Sequence, residues 1–474
     1  MFIKKFIGSK AFYKTLLGVM VPILIQNAIT NFVSLLDNVM VGRVGTEQMS
    51  GVSIVNQLLF VFNLCIFGAI SGAGLFSAQF FGKRDHEGVR HTFRFKWYLS
   101  LSLLGIATVL FLVVGEPLIG LYLHEGGETG DLALTMHYAK QYLAISLIGL
   151  LPYTVTQIYA STLREVGQTL LPMVAGIVGV VSNLILNSLL IFGLCGFPAL
   201  GVEGAAIATV VARLVECAIV TVWAHTHRDK CEFVKGVYRS GYVPLALVKK
   251  ITVTGSPLML NETLWAAGQA MLLQCYSVRG IAVVSAMNIS NTVTNTFSVL
   301  FMSVGATIAI LLGHELGAGR VREARDSARK MIAFSLLMGL IGGLLIAAAA
   351  PFFPLIYNTT DEVRSLAVQM SLISAAAAPL HAYLNASYFT LRSGGKTVIT
   401  FLFDAGFVWC CNVPLAFALS RFTSAPATAI LLAAQAAELL KVLLGTLLVA
   451  RGSWAVDLTQ VKEDAATTEA EETA

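Results

Sequence analysis

The sequence predicts an all-α polytopic membrane protein with twelve transmembrane helices in two pseudo-symmetric six-helix lobes. Three observations predict this fold. The 474 residues are 56% hydrophobic and only 12% charged, whereas a soluble domain carries roughly 25% charged residues. Apolar runs of membrane-spanning length recur along the whole chain. The two halves of the sequence also match each other.

Twelve apolar runs are predicted to span the membrane, because each approaches the length of about 20 residues that crosses roughly 30 Å of hydrocarbon. The first six are expected at 16–40, 52–80, 97–115, 136–160, 170–192 and 203–224. The second six are expected at 251–275, 285–313, 331–350, 365–391, 397–419 and 428–450. These runs divide the chain into an N-lobe (1–224), a cytoplasmic connector (225–250), a C-lobe (251–450) and a polar acidic tail (451–474). The tail is expected to be disordered.

The basic residues predict the orientation of the spans. With both termini placed in the cytoplasm, 25 of the 32 Lys and Arg residues fall on the cytoplasmic side and five on the opposite side. This excess follows the positive-inside rule. It also explains the net charge of +5 through basic loops that meet an anionic leaflet, so no nucleic-acid partner is expected. The predicted location is the cell (plasma or inner) membrane, with cytoplasmic N- and C-termini.

The two halves are predicted to be copies of one another. When Pro22 is aligned with Pro257 without a gap, the first two spans lie on spans seven and eight. TLREVGQT (162–169) and TLRSGGKT (390–397) share five of eight residues, and each follows the fourth span of its half. Because six spans are an even number, both copies have one orientation. This predicts parallel repeats with a central site at their interface.

A polar stripe runs along the first span and ends in a carboxylate. Its members are spaced by 4, 4 and 3 residues and therefore share one helix face: Gln26, Thr30, Ser34 and Asp37. An aspartate at mid-bilayer costs about 2.5–3.5 kcal/mol, so this face is expected to line a water-filled cavity or another helix. Because Asp37 lies toward the outer end of the span, an ordinary interfacial aspartate is the alternative.

The fifth span carries two asparagines, Asn183 and Asn187, that are four residues apart and project together. Two roles remain open for them: hydrogen bonds between helices, or uncharged partners of Asp37 in one polar cluster. The residues predicted to form an N-lobe cation or substrate cavity are Asp37, Asn183, Asn187, Gln26 and Ser34.

The seventh span repeats this pattern in the second half. Glu262 lies about half-way along the run and shares a face with Trp265 and Gln269. Pro257, one turn earlier, can bend the helix and free a carbonyl group. Asp404, some seven residues into the eleventh span, is a candidate for the same cavity. The predicted C-lobe cavity therefore consists of Glu262, Asp404, Trp265 and Gln269.

Two basic residues, Arg213 and Lys441, also fall within predicted spans. Each is three residues from an acid, Glu216 and Glu438 respectively, and this spacing brings side chains together on a helix surface. Both pairs are interpreted as structural ion pairs.

Motifs that resemble enzyme sites are incomplete. SGGKT at 393–397 lacks the first glycine of a phosphate-binding loop, because position 390 is Thr, and HEL at 314–316 lacks the second histidine of a zinc motif. The eight histidines and seven cysteines show no metal-ligand spacing. We therefore expect no catalytic residues, no cofactor and no ATP site. Energy for work would then come from an ion gradient or a separate subunit, which favours a secondary transporter.

Several stretches resemble the multidrug and toxic compound extrusion (MATE) family, bacterial type. LLDNVMVGRVGTEQMSGVSIVNQ is similar to the first-span signature of that family. SGAGLFSAQFFGKRD, LIFGLCGFPALGVEGAAIAT, GSPLMLNETLW and TLRSGGKT also resemble it. The likeness covers nearly the whole chain up to the acidic tail.

The resemblance implies a V-shaped transporter that exports organic cations and drugs in exchange for H+ or Na+. It places Asp37 beside Asn183 and Asn187 in the N-lobe cavity and Glu262 in a C-lobe site, with Na+ possible at either carboxylate. Asp404 is not matched to a particular family residue. The expected partners are small organic cations and the lipid bilayer, and a monomer is expected.

Two other functions are compatible with the same span count. A flippase for a lipid-linked sugar shares the broad architecture, but it would favour a cavity rich in arginine, and Arg213 is the only arginine in the predicted N-half spans. A membrane receptor or intramembrane enzyme is the more distant alternative. The duplicated halves and the incomplete catalytic motifs argue against it.

Overall fold

The computed structural model describes residues 6–42, 44–122, 131–357 and 359–459; the side chains at 33–39, 42, 46 and 281 fall outside this description. Within the described residues, every regular element is a helix. The first half contains α1 (Lys10–Gly42), α2 (Thr46–Gly82), α3 (His86–Gly120), α4 (Leu132–Ile148), α5 (Leu150–Glu165), α6 (Leu170–Phe192) and α7 (Gly201–Thr226). The second half contains α8 (Leu245–Ser277), α9 (Ile281–Gly317), α10 (Val321–Ala349), α11 (Asp361–Ser393), α12 (Thr397–Phe401), α13 (Val413–Phe422) and α14 (Ala427–Arg451).

The helix lengths account for twelve spans. Ten helical segments of the described chain are long and apolar enough to cross a bilayer, counting Thr397–Phe422 as one continuous segment. The α4–α5 pair forms an eleventh span that is bent by 46°. The 33-residue α8 is the twelfth; it is less apolar because polar residues interrupt its centre. The predicted all-α fold of twelve helices in two six-helix lobes is confirmed.

Two spans depart from a single regular helix. Gly149 separates α4 from α5, and Pro152 cannot donate the backbone hydrogen bond that would continue the helix to Ile148. The eleventh span contains two π-helical segments, Leu402–Gly406 and Val408–Asn412, between α12 and α13. A π-turn fits one extra residue into a helical turn and is often found at functional sites.

The repeat visible in the sequence is also present in the helix boundaries. In the alignment that matches Pro22 with Pro257, both ends of α8 and α9 fall on the ends of α1 and α2. The first residue of α10 likewise falls on the first residue of α3. The two halves therefore start with the same three-helix arrangement. The second repeat differs in its fourth span, which is the continuous α11 rather than a bent pair.

The two lobes meet where α2 crosses α8 and α9, and glycines permit the close approach. A Cβ built on Gly317 would overlap the backbone carbonyl oxygen of Gln79, and one on Gly82 would overlap that of His314. At the α2–α8 crossing, Gly72 packs directly on Gly255. Near the same end of the bundle, Nε2 of His314 donates to the carbonyl of Glu165, on α5, at 2.5 Å. The interface therefore depends on backbone contact between lobes.

We expect Gly317→Ala to destabilise this interface. The added methyl group would collide with backbone rather than with a movable side chain, and overpacking of this kind costs about 1–3 kcal/mol. The check is the thermal unfolding midpoint of the purified protein. Gly105→Ala, on α3, is the matched control because nothing lies within 4 Å of the position of its Cβ. Equal midpoints for the two variants would show that the lobes are not in close contact at Gly317.

Part of the predicted disordered tail is packed, which corrects the sequence prediction for residues 452–459. Trp454 is 1% exposed in the C-lobe core, and Leu458 packs against the N-lobe core. The buried amide of Gln79, on α2, holds this segment against the N-lobe. It donates to the carbonyl of Val456 at 3.2 Å and accepts from the N–H of Leu458 at 2.5 Å. The tail is acidic on average, but its first residues include aromatic and aliphatic side chains that can be buried, which explains the packing. Residues 460–474 lie outside the described part of the chain.

The connector is a folded element and not an extended linker. It contains a short 3₁₀ turn, Glu232–Val234, and its Phe233 ring packs 5.1 Å from that of Phe93 on α3. The last six residues assigned to the connector form the first turns of α8, which begins at Leu245. The connector therefore belongs to the N-lobe core by its contacts.

Candidate functional site

A cluster of charged and polar side chains lies in the middle of the C-lobe; we call it the C-lobe charge cluster. It is assembled from four spans, and its members are Asn261, Glu262, Tyr388, Arg392, Asp404, Asn412, Glu438 and Lys441. Glu262 is the eighteenth residue of the 33-residue α8, as the half-way position in the sequence predicts.

Tyr388 on α11 and Asn261 together link Glu262 to Asp404, two of the three acids of the cluster. Its hydroxyl group donates to Oε1 of Glu262 at 3.3 Å and accepts from Nδ2 of Asn261 at 3.3 Å. The same amide group of Asn261 donates to Oδ2 of Asp404 at 3.1 Å. The structure therefore brings Glu262 and Asp404 together through a short hydrogen-bonded path, and a cavity shared by the two acids stays a prediction.

Asp404 lies in the first π-helical segment, and the irregular backbone is held by α8. The side-chain oxygen of Asn261 accepts from the backbone N–H of Ala405 at 3.1 Å. Asn261 is 1% exposed, so both of its amide ends are satisfied inside the protein. This residue fixes the distance between α8 and the broken span.

Lys441 on α14 belongs to the cluster: the predicted pair with Glu438 is present, but Asp404 is its closer partner. Its Nζ donates to Oδ1 of Asp404 at 2.9 Å, whereas Oε2 of Glu438 is 3.9 Å away. Its side chain is only 7% exposed and faces the rings of Phe403 and Phe407 at 5.3 and 5.8 Å. The i,i+3 spacing predicted the contact with Glu438 but not the shorter one with Asp404, because the latter depends on how α14 packs on the eleventh span.

Glu438 has its main partner on another span. Its Oε1 accepts from Nδ2 of Asn412 at 2.6 Å, and Asn412 ends the second π-helical segment. The two π-segments therefore each present one polar side chain to α14: Asp404 to Lys441, and Asn412 to Glu438.

Arg392 is buried, although its place in the sequence suggests a basic turn. It lies in the last turn of α11 with 5% of its side chain exposed, and its guanidinium is 3.8 Å from Oε1 of Glu262. The guanidinium also lies 5.9 Å from the ring centroid of Phe67, which belongs to α2 of the other lobe. The position of Arg392 thus joins the cluster to the lobe interface.

The two remaining residues of the predicted C-lobe cavity stay apart from these hydrogen bonds. Trp265 is 39% exposed and Gln269 is also exposed. Within the described residues, neither side chain forms a hydrogen bond that joins it to the cluster. Their role in a cavity remains a prediction from the sequence.

The N-lobe contains a smaller polar group on α6. Asn187 donates to Oδ1 of Asn183 at 3.0 Å, and Asn183 donates to Oγ1 of Thr209 on α7 at 3.3 Å. Both asparagines are buried, at 2% and 6% exposure. The bond from Asn183 to Thr209 joins α6 to α7, whereas the bond between the two asparagines lies within α6. Their role as partners of Asp37 stays a prediction. The side chains of Asp37 and Ser34 lie outside the described residues.

Gln26, the first residue of the predicted polar stripe, contacts a different part of the N-lobe. Its Oε1 accepts from the guanidinium of Arg164, on α5, at 3.4 Å.

Arg213 on α7 does not form the predicted ion pair with Glu216; its guanidinium lies 5.2 Å from the ring centroid of Tyr153. A buried aromatic ring competes well for a guanidinium where water is scarce, which explains the difference.

The family model named MatE matches residues 22–189 and 257–418. This covers more than half of the chain. The chain belongs to the MatE family. The two matched regions start at Pro22 and Pro257, the same pair of residues that aligns the helices of the two halves.

The MatE assignment agrees with individual relatives. A protein of Halalkalibacterium halodurans described as probable multidrug resistance protein NorM is 27% identical over 419 residues, which cover 86% of this chain and 88% of the relative. A protein of Thermotoga maritima with the same description is 23% identical, with 86% of each chain covered.

A crystal structure of MATE in complex with MaL6 superposes with a TM-score of 0.84 at 18% identity, covering 96% of this chain and 98% of that one. The twelve-span fold is therefore that of the family. The MatE chain is a multi-pass membrane transporter and not an enzyme.

Sequence reasoning did not assign six members of the cluster in this MatE chain to a site: Asn261, Tyr388, Arg392, Asn412, Glu438 and Lys441. Asn261 directly precedes Glu262, and an asparagine next to a glutamate did not by itself indicate a second site residue. Lys441 was a detectable signal, because an ammonium group deep in an apolar run requires a partner. Asp404 and Lys441 are far apart in the sequence, and only the packing of α14 on the broken span shows that they pair.

Proposed function

We propose that this MatE chain is a secondary active antiporter that exports organic cations, drugs among them, in exchange for H+ or Na+. One observation carries the proposal: the C-lobe charge cluster contains three carboxylates but only two basic side chains. Glu262, Asp404 and Glu438 face Arg392 and Lys441. With all five ionised, one negative charge remains for a cation to neutralise.

The two central carboxylates can be reached by a ligand. The side chains of Glu262 and Asp404 are 17% and 20% exposed, whereas their basic partners are 5% and 7% exposed. Charged residues inside a membrane protein commonly line a pathway for ions or substrates. A cation that enters the lobe would therefore meet the acids before it meets their partners.

Aromatic rings surround the basic partner of Glu262 and would also suit an organic cation. The guanidinium of Arg392 lies 5.4 Å from the ring centroid of Phe389 and 5.8 Å from that of Tyr388. Ring faces attract organic cations as well as guanidinium groups. We infer that a bound drug competes with Arg392 for these rings and for Glu262.

Exchange requires the ion and the drug to stabilise different arrangements of the lobes. A proton or sodium ion on Glu262 or Asp404 removes the surplus negative charge and weakens the hold on a drug cation. Because Arg392 also contacts Phe67 on α2, a change in the position of Arg392 would alter the contact between the lobes. In this proposal, binding of the ion releases the drug on the outer side. Release of the ion on the cytoplasmic side then frees the acids to bind another drug cation.

The N-lobe is proposed to supply a second cation site at Asp37, with Asn183 and Asn187 nearby as the sequence predicts. Where Na+ is the coupling ion, we propose that it binds at Asp37 or Glu262. Both termini are proposed to be cytoplasmic, so that the basic loops face the inner leaflet. Because both lobes and the cluster come from one chain, we propose that the transporter acts as a monomer, without a cofactor.

A flippase for a lipid-linked sugar is less well supported. Such a substrate carries pyrophosphate, which would favour a surplus of arginine and lysine in the cavity. The cluster in the C-lobe has the opposite surplus, with three carboxylates against two basic groups.

The test is ethidium transport by purified protein in proteoliposomes, with pH and sodium gradients imposed separately. We expect one of the two gradients to drive ethidium uphill, and a protonophore or a sodium ionophore to abolish the transport that depends on it. Empty liposomes are the control. Ethidium transport at a rate that does not depend on either gradient would contradict antiport.

A further inference from the structure

A basic cleft outside the transport site lies between the first turns of α3 and the connector. It encloses about 510 Å³. Five basic residues and one acid contribute charge to its walls: Arg90, Arg94, Arg228, Lys235, Arg239 and Glu87. The proposed antiport does not use any of these residues.

The connector wall of the cleft is held in place by a buried arginine. Arg94 is 8% exposed, and its three donor groups bind the carbonyls of Val237, Gly236 and Tyr242 at 2.8, 3.1 and 3.1 Å. Tyr98 adds a hydrogen bond to the carbonyl of Gly241 at 2.8 Å. A loop that is already ordered loses little entropy when a ligand binds.

The other basic side chains retain donors for a ligand. The Nε of Arg90 is buried and has no hydrogen-bond partner among the described residues. Arg239, on the opposite wall, is exposed and forms no ion pair within the described chain. Lys235 has only a loose, exposed contact with Glu232 at 3.7 Å. Arg90 and Arg239 form no ion pair among the described residues, so their guanidinium groups favour an acceptor in the cleft.

We propose that this cleft binds a phosphate group, the shared chemistry of an anionic phospholipid headgroup and of a free phosphate ion. Guanidinium groups present paired donors that match phosphate oxygens. The side chains beside the cleft favour the lipid as the source. Tyr242 is 65% exposed and Leu245, at the start of α8, is 80% exposed, which is the mixture of aromatic and apolar surface found at membrane interfaces. Basic pockets at such positions bind lipid headgroups in other membrane proteins.

The proposal is tested by the thermal unfolding midpoint of the full chain, measured with phosphatidylglycerol, phosphatidylcholine or inorganic phosphate added. We expect phosphatidylglycerol to raise the midpoint of the wild type more than phosphatidylcholine does. In the double variant Arg90→Gln/Arg239→Gln, the phosphatidylglycerol concentration that gives half of the full rise in midpoint should increase by roughly tenfold or more, because two charge-assisted hydrogen-bond donors are lost. Arg322→Gln, an exposed change on α10, should respond as the wild type does.

The arms of the experiment separate the sources of phosphate. Stabilisation by phosphatidylglycerol alone identifies a lipid headgroup, and stabilisation by inorganic phosphate as well identifies a site that also takes the free ion; both support the cleft. An equal response of the double variant and Arg322→Gln would overturn the proposal, because it would indicate diffuse attraction only. The proposal would also be overturned if neither ligand stabilised the wild type. If the double variant does not fold, Arg239→Gln alone gives the comparison, since its side chain is exposed.

Discussion

Glu262→Gln is expected to abolish the use of the ion gradient while leaving the protein folded. The amide has the same shape as the carboxyl group but cannot ionise, so the cluster loses the negative charge that the coupling ion neutralises. One proton returning through about 100 mV contributes about 2.3 kcal/mol. Loss of that contribution should lower the steady-state accumulation of ethidium in everted vesicles by about 50-fold.

The matched control for this change is Glu323→Gln on α10. It removes a carboxylate of the same type from an exposed side chain, which is 60% accessible and pairs with the exposed Arg320. Exposed ion pairs contribute little to stability or function, so ethidium accumulation should stay at the wild-type level. If Glu262→Gln accumulated ethidium as well as Glu323→Gln does, the C-lobe carboxylate would have no part in coupling.

Lys441→Met is expected to cause the largest loss of stability. It would remove the ammonium group that lies 2.9 Å from Asp404 and 3.9 Å from Glu438, leaving two acids without this partner inside the lobe. Breaking one side of a buried ion pair costs roughly 3 kcal/mol or more. The thermal unfolding midpoint of the purified protein should fall accordingly.

A double-mutant cycle distinguishes this mechanism from lost packing. Lys441→Met combined with Asp404→Asn should be more stable than Lys441→Met alone, because the second change removes the uncompensated charge. Lys140→Met is the control, since Lys140 and Glu116 form an exposed pair, and its effect should stay below about 1 kcal/mol. If the effects of Lys441→Met and Asp404→Asn were simply additive, these two residues would not be coupled.

The helices were predictable where their signal is local. Apolar runs and the match between the two halves were enough for twelve spans, because a membrane helix must satisfy its own backbone and so appears in the sequence as one long run. The bend at Gly149 and the π-helical segments around Asp404 were not predictable. Irregular backbone in a membrane protein depends on neighbouring helices that satisfy the freed groups, as Asn261 does for Ala405.

The candidate site was predictable only as single residues. Glu262 and Asp404 stood out because a carboxylate in an apolar run is costly. Arg392 did not stand out because it lies at the end of a span. Lys441 stood out as a charge within a span, but an acid at i−3 offered a local explanation. Pairing between distant spans is set by the packing of α11 and α14, and one sequence does not contain that information. The packing of Trp454 and Leu458 escaped prediction for the same reason.

The central claim is that a coupling ion and a drug cation compete for the acidic side chains inside the lobes, above all those of the C-lobe charge cluster. It is tested most directly by the affinity of the purified protein for ethidium, measured over a range of pH without sodium and over a range of sodium at fixed pH. We expect the affinity to weaken as the concentration of the coupling ion rises, and Asp37→Asn/Glu262→Gln to lose this dependence. An affinity in the wild type that does not change with either ion would contradict the account.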